Sequence, residues 1–592
     1  MKDFFKMVFA TVVGMFLFFI VMGFFAVMSM VGMIASGSAV KSVKDNSVMV
    51  LNLTGALQER AQDNFFAQFA GGATTEIGLD DVLQSIKKAK SNEDIKGIYI
   101  EAGAFSTDSY ASLQAIRRAL ADFRKSGKWI IAYGDTYTQG AYYLASVADK
   151  VYINPEGSVD WHGIASEPMF LKDLMAKFGV KMQLSKVGAY KSAPEMFTSD
   201  KMSDPNREQV TAYVNGIWEN VIKEVSASRK ISIDSLNSYA DQLLMFKDAK
   251  ELQQKKVVDG ICYTDEVKDV VKKQLKLGED DDINKLTLAD MATVKDTNRD
   301  GDEIAVYYAF GDIVDGAVQG LASNGAVIDA QVVCKDLEKL TDDDEVKAVV
   351  LRINSGGGSA YASEQIWRSV ELLKKKKPVV VSMGGMAASG GYYISCGSNW
   401  IVSEPTTLTG SIGIFGMFPD FSGLVRDKLG VKFDEVKTNR NSTFGTISRP
   451  ISEEEMSYLN AYVERGYRLF RQRVADGRKL SVDAVEAVAQ GHVWLGQDAI
   501  KHKLVDQLGG LDDAVAKAAK LAKLSEWHTN SYPDMPDMMT QLLASSEQQS
   551  GSYLDKAMRA NLGELYEPVV MVMQMSNYNP IQARIPFMPN VR

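Results

Sequence analysis

Three cysteines and four histidines are all that these 592 residues contain. Cys262, Cys334 and Cys396 are odd in number, widely spaced and without a CxxC pair. That excludes a disulfide framework, a zinc knuckle and a thioredoxin-like centre, and leaves all three as small buried hydrophobes. His162, His492, His502 and His528 stand in no pattern that recommends a Ser–His–Asp triad, so any serine chemistry needs another base. Excess positive charge is missing too: a net charge of −9 gives no footprint for nucleic acid, and none is expected as a partner. The stretch DTNRDG (Asp296–Gly301) begins like a calcium loop, but its twelfth position is Tyr307 where a bidentate glutamate is required. It reads as a turn, and neither a cofactor nor a metal site is expected.

What the chain does have is length, an apolar start and an internal echo. Its 592 residues call for two to four domains. Residues 7–35 run 29 positions without a charge, about 43 Å as a helix, enough to cross a ~30 Å hydrocarbon core with tilt. The apolar core of a cleaved signal peptide is shorter, about 7–15 residues. A transmembrane anchor is therefore expected over 7–35, with Lys2 and Lys6 holding a cytoplasmic tail, residues 1–6, and sending the rest across.

Sliding the sequence by 250 residues lays QGAYYLAS (Gln139–Ser146) on SGGYYISC (Ser389–Cys396) and pairs Pro155 with Pro405, Gly163 with Gly413 and Ile164 with Ile414. With small drift, DIKGIYI (Asp94–Ile100) resembles EVKAVVL (Glu345–Leu351) and KFGVK (Lys177–Lys181) resembles KLGVK (Lys428–Lys432). So many matches in order mean a tandem duplication. The halves span 48–295 and 303–524, with an acidic, turn-rich linker over Gly278–Asp302 and an extension, 525–592, of open role. Short apolar strands alternating with helical patterns predict a parallel α/β fold in each half.

Where the copies diverge, the chemistry parts. Ser389, at a strand-to-helix turn of tiny residues, falls opposite Gln139, which cannot attack a carbonyl; Ser411 faces Trp161. The glycine loop NSGGGS (Asn354–Ser359) has no glycine-rich counterpart in the first half, where EAGAFS stands. Its N–H groups, with that of Gly390, suit an oxyanion hole, typically worth ~3–4 kcal/mol per donor. AASGG is not GxSxG, so an α/β-hydrolase elbow is not supported. A lysine can act as base if burial brings its pKa from about 10.4 toward 7–8. The SxxK string Ser85–Lys88 lies in a charged helical stretch and reads as solvated, Lys88 with it; Lys191, in KVGAYKSAPEMF (Lys186–Phe197), is flanked by Tyr190, Ala193 and Pro194, with Asn441 at the shifted position.

The stretches LRINSGGGSAYASE (Leu351–Glu364), SMGGMAASGGYYIS (Ser382–Ser395), LTGSIGIFG (Leu408–Gly416) and VGAYKSAPEMF (Val187–Phe197) together resemble the SppA signal peptide peptidases in their long, duplicated, membrane-anchored bacterial form. The resemblance covers the anchor and both halves and implies two ClpP/crotonase-like folds. It implies a serine endopeptidase with Ser389 as nucleophile, Lys191 as general base, Ser411 orienting the lysine, and the N–H groups of Gly358 and Gly390 as the oxyanion hole. It further implies released signal peptides and other extended apolar peptides as partners, a homo-oligomeric ring, here a tetramer, and a catalytic part on the periplasmic side of the bacterial inner membrane. Gly356 departs from the family's usual proline, which predicts a more flexible loop. Two other readings stay open: a crotonase-like acyl-CoA enzyme and a non-catalytic, peptide-binding membrane scaffold.

Overall fold

The computed structural model describes residues 43–61, 76–294, 300–316, 326–534 and 580–585, with part of 4–28. The anchor read over 7–35 lies partly outside the described residues. Among those described, residues 13–22 are helical and exposed, and no helix is long and apolar enough to cross a membrane. Most of DTNRDG also lies outside them.

The duplication is written into two sheets. In the first, Glu76–Gly78, Ser47–Gln58, Ile95–Thr107, Trp129–Tyr137, Lys150–Val159 and Gly260–Ile261 lie side by side in that order, all parallel. In the second, Asp302–Phe310, Val346–Ser355, Val379–Ala388 and Trp400–Ser403 repeat the central strands, again parallel. Val379–Ala388 is buried along its whole length, as a nearly continuous apolar run must be when helices cover both faces of a parallel sheet. One face of the second sheet packs on helix Leu511–Ala522 through Val350, Val380, Ala514 and Ala518, and the other buries Ile353, Ile366 and Val370. Ser359 starts the helix Ala360–Lys374 by accepting the Ala362 N–H at 3.2 Å.

A third, six-stranded sheet joins the halves: Val327–Asp329, Asp312–Val314, Gly357–Ser359, Ile581–Arg584, Phe415–Asp420 and Lys181–Lys186. Its last member comes from the first half and pairs antiparallel with Phe415–Asp420 of the second over six positions. Beside it, Glu59 of the first half grips Arg352 of the second in a buried ion pair of 2.9 Å, and Arg118 pairs with the buried Glu404.

Several expectations need correction. The stretch read as a linker folds onto the first half: Lys285–Leu286 pairs with Val48–Met49, and helix Leu288–Thr293 buries Met291, because Leu286, Met291 and Val294 give it an apolar face. Ser85 of the SxxK string is buried rather than solvated, since it lies on the inward face of helix Leu79–Ser91. Cys262 and Cys396 are buried, but Cys334 is only half-buried. In the extension, Trp527–Tyr532 adds a parallel edge strand to Asp302–Phe310, and Ile581–Arg584 enters the third sheet.

Candidate active site

The site is a corner assembled from both halves. The strand Val379–Ala388 ends at Ser389, and helix Gly390–Ser395 begins at once. Ser389 sits at φ 55°, ψ −111°, a conformation that typically costs a non-glycine residue ~1–3 kcal/mol. It is held there from both sides: its N–H donates to the Gly410 carbonyl at 2.8 Å and its carbonyl accepts the Tyr393 N–H at 2.8 Å. The helix can start this abruptly because Gly391 has no side chain; a Cβ there would lie 2.6 Å from the Ser355 carbonyl oxygen.

Lys191 arrives from the other half. Strand Lys181–Lys186, anchored on Phe415–Asp420, delivers the loop Gly188–Pro194, and the Tyr190 N–H donates to the Gln490 carbonyl at 3.0 Å. Backbone meets backbone here: Gly491, at φ 81°, approaches so closely that a Cβ on it would lie 2.6 Å from the Lys191 Cα. Lys191 Nζ lies 2.7 Å from Ser389 Oγ, 3.0 Å from Ser411 Oγ and 3.1 Å from the Ser411 carbonyl oxygen. None of these partners is a carboxylate. Lys191 is 1% exposed, and that burial holds its pKa well below the ordinary lysine value. Ser411, also left-handed at φ 50°, is fixed by its N–H donating to the His492 carbonyl at 2.7 Å.

Thus three of the residues singled out in the sequence, Ser389, Lys191 and Ser411, meet in one hydrogen-bonded cluster. Gly390 follows the serine directly, and Gly358 lies on the adjoining strand Gly357–Ser359. The loop expected to be flexible around Gly356 is instead paired on both edges, by Ile313 at Gly358 and by the strand Ile581–Arg584. Gly358 is confined as well, since a Cβ would lie 2.1 Å from the Ile313 carbonyl oxygen. Lys88 is elsewhere, its Nζ donating to the Met291 carbonyl at 3.2 Å.

No histidine serves this serine among the described residues. His492 stacks on Trp494 with ring centroids 3.9 Å apart, and its Nδ1 is buried without a hydrogen-bond partner. Its contribution is the carbonyl that fixes Ser411, and a backbone role of that kind leaves no mark in a residue's chemistry. Gly491 escaped the sequence reading for the same reason. Gln209 did too: its amide donates to the Tyr190 carbonyl at 3.1 Å and accepts the Val493 N–H at 3.0 Å.

Comparison with known proteins fits this two-part site. A family model described as peptidase family S49 matches residues 122–278 and again 371–525, one stretch in each half. The chain belongs to peptidase family S49. Within that family, this S49 chain is 37% identical over 527 residues to "Protease 4" of Salmonella typhi, covering 86% of this chain and 80% of that protein. It is 35% identical to "Protease 4" of Haemophilus influenzae, over 82% of this chain and 81% of the relative. With "Serine protease SPPA, chloroplastic" of Arabidopsis thaliana it shares 29% identity over 81% of this chain and 70% of that one. A Clp protease model matches residues 319–401, where the glycine strand and the serine turn lie. This S49 member is therefore a protease of the duplicated SppA type, built from two ClpP-like α/β units.

Proposed function

We propose that this S49 protease is a membrane-anchored serine endopeptidase that uses a Ser389–Lys191 dyad to degrade released signal peptides and related extended apolar peptides. The observation that carries the reading is the 2.7 Å contact between Lys191 Nζ and Ser389 Oγ, made by a buried lysine with no carboxylate partner. A neutral amine at that distance takes the serine proton as Oγ attacks a peptide carbonyl. The N–H groups of Gly358 and Gly390 receive the oxygen as it gains negative charge, and Ser411 keeps the amine aimed at Ser389. Lys191 then returns the proton to the departing amine, and water repeats the sequence in reverse on the acyl ester.

The substrate class follows from backbone chemistry. A cleft that recognises a peptide by strand pairing takes extended chains and rejects folded ones. The charge-free stretch 7–35, helical and exposed where described, supports an anchor beside a bilayer, with the protease on the periplasmic side of a bacterial inner membrane. The names of the relatives support a serine protease. We take the assembly to be a ring, with four copies as the working expectation.

The test is kinetic. Ser389→Ala in purified, assembled protein is expected to lower kcat for an apolar fluorogenic peptide by ~10³-fold or more. Wild-type activity is expected to rise with pH until the depressed pKa of Lys191 is passed, because only the neutral amine accepts a proton. Unchanged cleavage in the alanine variant, or a pH profile that falls from pH 6 to 9, defeats the dyad.

A further inference from the structure

The strand Ile581–Arg584 lies where an extended substrate belongs. It comes from near the chain's end and fills the slot between Gly357–Ser359 and Phe415–Asp420, antiparallel to both. Taken out, it would leave the third sheet split into two pieces with facing, unpaired edges. On one side Gly357, Gly358 and Ser359 pair with Arg584, Ala583 and Gln582; on the other Phe415 and Gly416 pair with Gln582 and Ile581. Beyond the strand, the Ile585 N–H donates to the Gly356 carbonyl at 3.0 Å, and the Met417 N–H donates to the Pro580 carbonyl at 3.1 Å.

The register selects one peptide bond. Gly356 and Ile585 form a hydrogen-bonded pair, and in an antiparallel ladder such pairs recur every second residue. The next is Gly358 with Ala583, which aims the Gly358 N–H at the Ala583 carbonyl oxygen. The same oxygen lies against the serine turn: a Cβ on Gly357 would be 2.0 Å from it and 2.7 Å from the Gly390 nitrogen, and a Cβ on Gly390 would be 3.1 Å from it. Both proposed oxyanion donors therefore converge on Ala583. Its methyl group is fully buried in the cluster that holds Ile412, Ile414 and Tyr392, whereas Arg584 reaches away to pair with Asp312.

We propose that the tail is the enzyme's own first substrate, cut by Ser389 between Ala583 and Arg584. The proposal rests on the Ser389–Lys191 reading. Ser389 Oγ bonds to the Ala583 carbonyl carbon while its proton passes to Lys191; the bond to the Arg584 nitrogen breaks, and Lys191 gives that proton to the new amine. Arg584–Arg592 leaves, one water hydrolyses the Ala583 ester, and Ser389 is restored. The fit of Ala583 also sets the preference for added peptides, a small residue on the acyl side of the cleaved bond.

Intact-mass spectrometry on the full chain tests this, with an apolar fluorogenic peptide assayed on the same samples. Wild type is expected to lose its last nine residues, while Ser389→Ala keeps them and leaves the added peptide uncut. Ala583→Trp, too bulky for the buried position, is expected to keep its tail and still cut the added peptide. If wild type cuts the added peptide but retains residues 584–592, the tail proposal falls and the dyad survives. If wild type cuts neither, both fall. Loss of the nine residues from Ser389→Ala or Ala583→Trp also overturns it, since another agent is then responsible.

Discussion

The same corner was built twice and finished differently. In the first half, strand Trp129–Tyr137 turns into helix Gln139–Ala145, with Thr138 as an ordinary cap. Gln139 then satisfies four groups at once: its Oε1 accepts the N–H of His162 at 3.1 Å and of Gly163 at 3.0 Å, while its Nε2 donates to Tyr110 Oη at 2.7 Å and the Gly163 carbonyl at 2.9 Å. In the second half, Ser389 takes a left-handed backbone, caps nothing with its side chain and meets a buried lysine. Trp161, opposite Ser411, is buried and donates its Nε1–H to the Leu236 carbonyl at 3.0 Å. Asn441, opposite Lys191, is exposed. One corner uses its polar groups for stability, and the other holds strain and faces a desolvated amine lent by the first half, at the position of the proposed chemistry.

Replacing the amine should break this contrast most visibly. Lys191→Met is expected to cut activity by ~10³-fold or more and yet raise the unfolding temperature at neutral pH. In the unfolded chain this lysine keeps its proton to near its ordinary value of 10.5, while the folded site sheds it lower down. Between those limits the unfolded chain binds the extra proton, so stability due to Lys191 rises with pH, and the methionine variant should lose that slope. Thermal melts from pH 6 to 10 measure it.

Gly491→Ala should come next, at about 10²-fold in kcat with the fold retained, because the new methyl pushes on the Lys191 backbone and misplaces the amine. Circular dichroism beside the peptide assay separates misplacement from unfolding. Gln139→Ser makes the first corner resemble the second. It should lower stability by about 1–2 kcal/mol in denaturant titration, by removing the amide that pairs with the buried Tyr110 hydroxyl and with the partly exposed N–H groups of His162 and Gly163, and should not restore activity to Ser389→Ala, since Lys191 lies at the other corner. The smallest change is expected from Ser411→Ala, about 10-fold in kcat, because the Ser411 carbonyl still receives the lysine.

The duplication and the parallel sheets were legible because a constant offset and apolar periodicity survive divergence. Ser389 was legible as a divergent position, but Lys191, 198 residues away, stood out from other lysines only through the family's motif. The tail strand was not legible at all. It engages the cleft through its backbone, and IQAR (Ile581–Arg584) has no composition that announces such pairing. The folded part of the supposed linker was hidden by its acidic neighbours, although Leu286 and Met291 are what bury it.

The strand Lys181–Lys186 can pair with Phe415–Asp420 only after the second half has been made. A growing polypeptide that has folded just its first half thus holds Lys191 without the serine it would activate. The proposed hydrolytic competence then appears late and all at once, on docking, so a truncated or half-made product could not attack its surroundings.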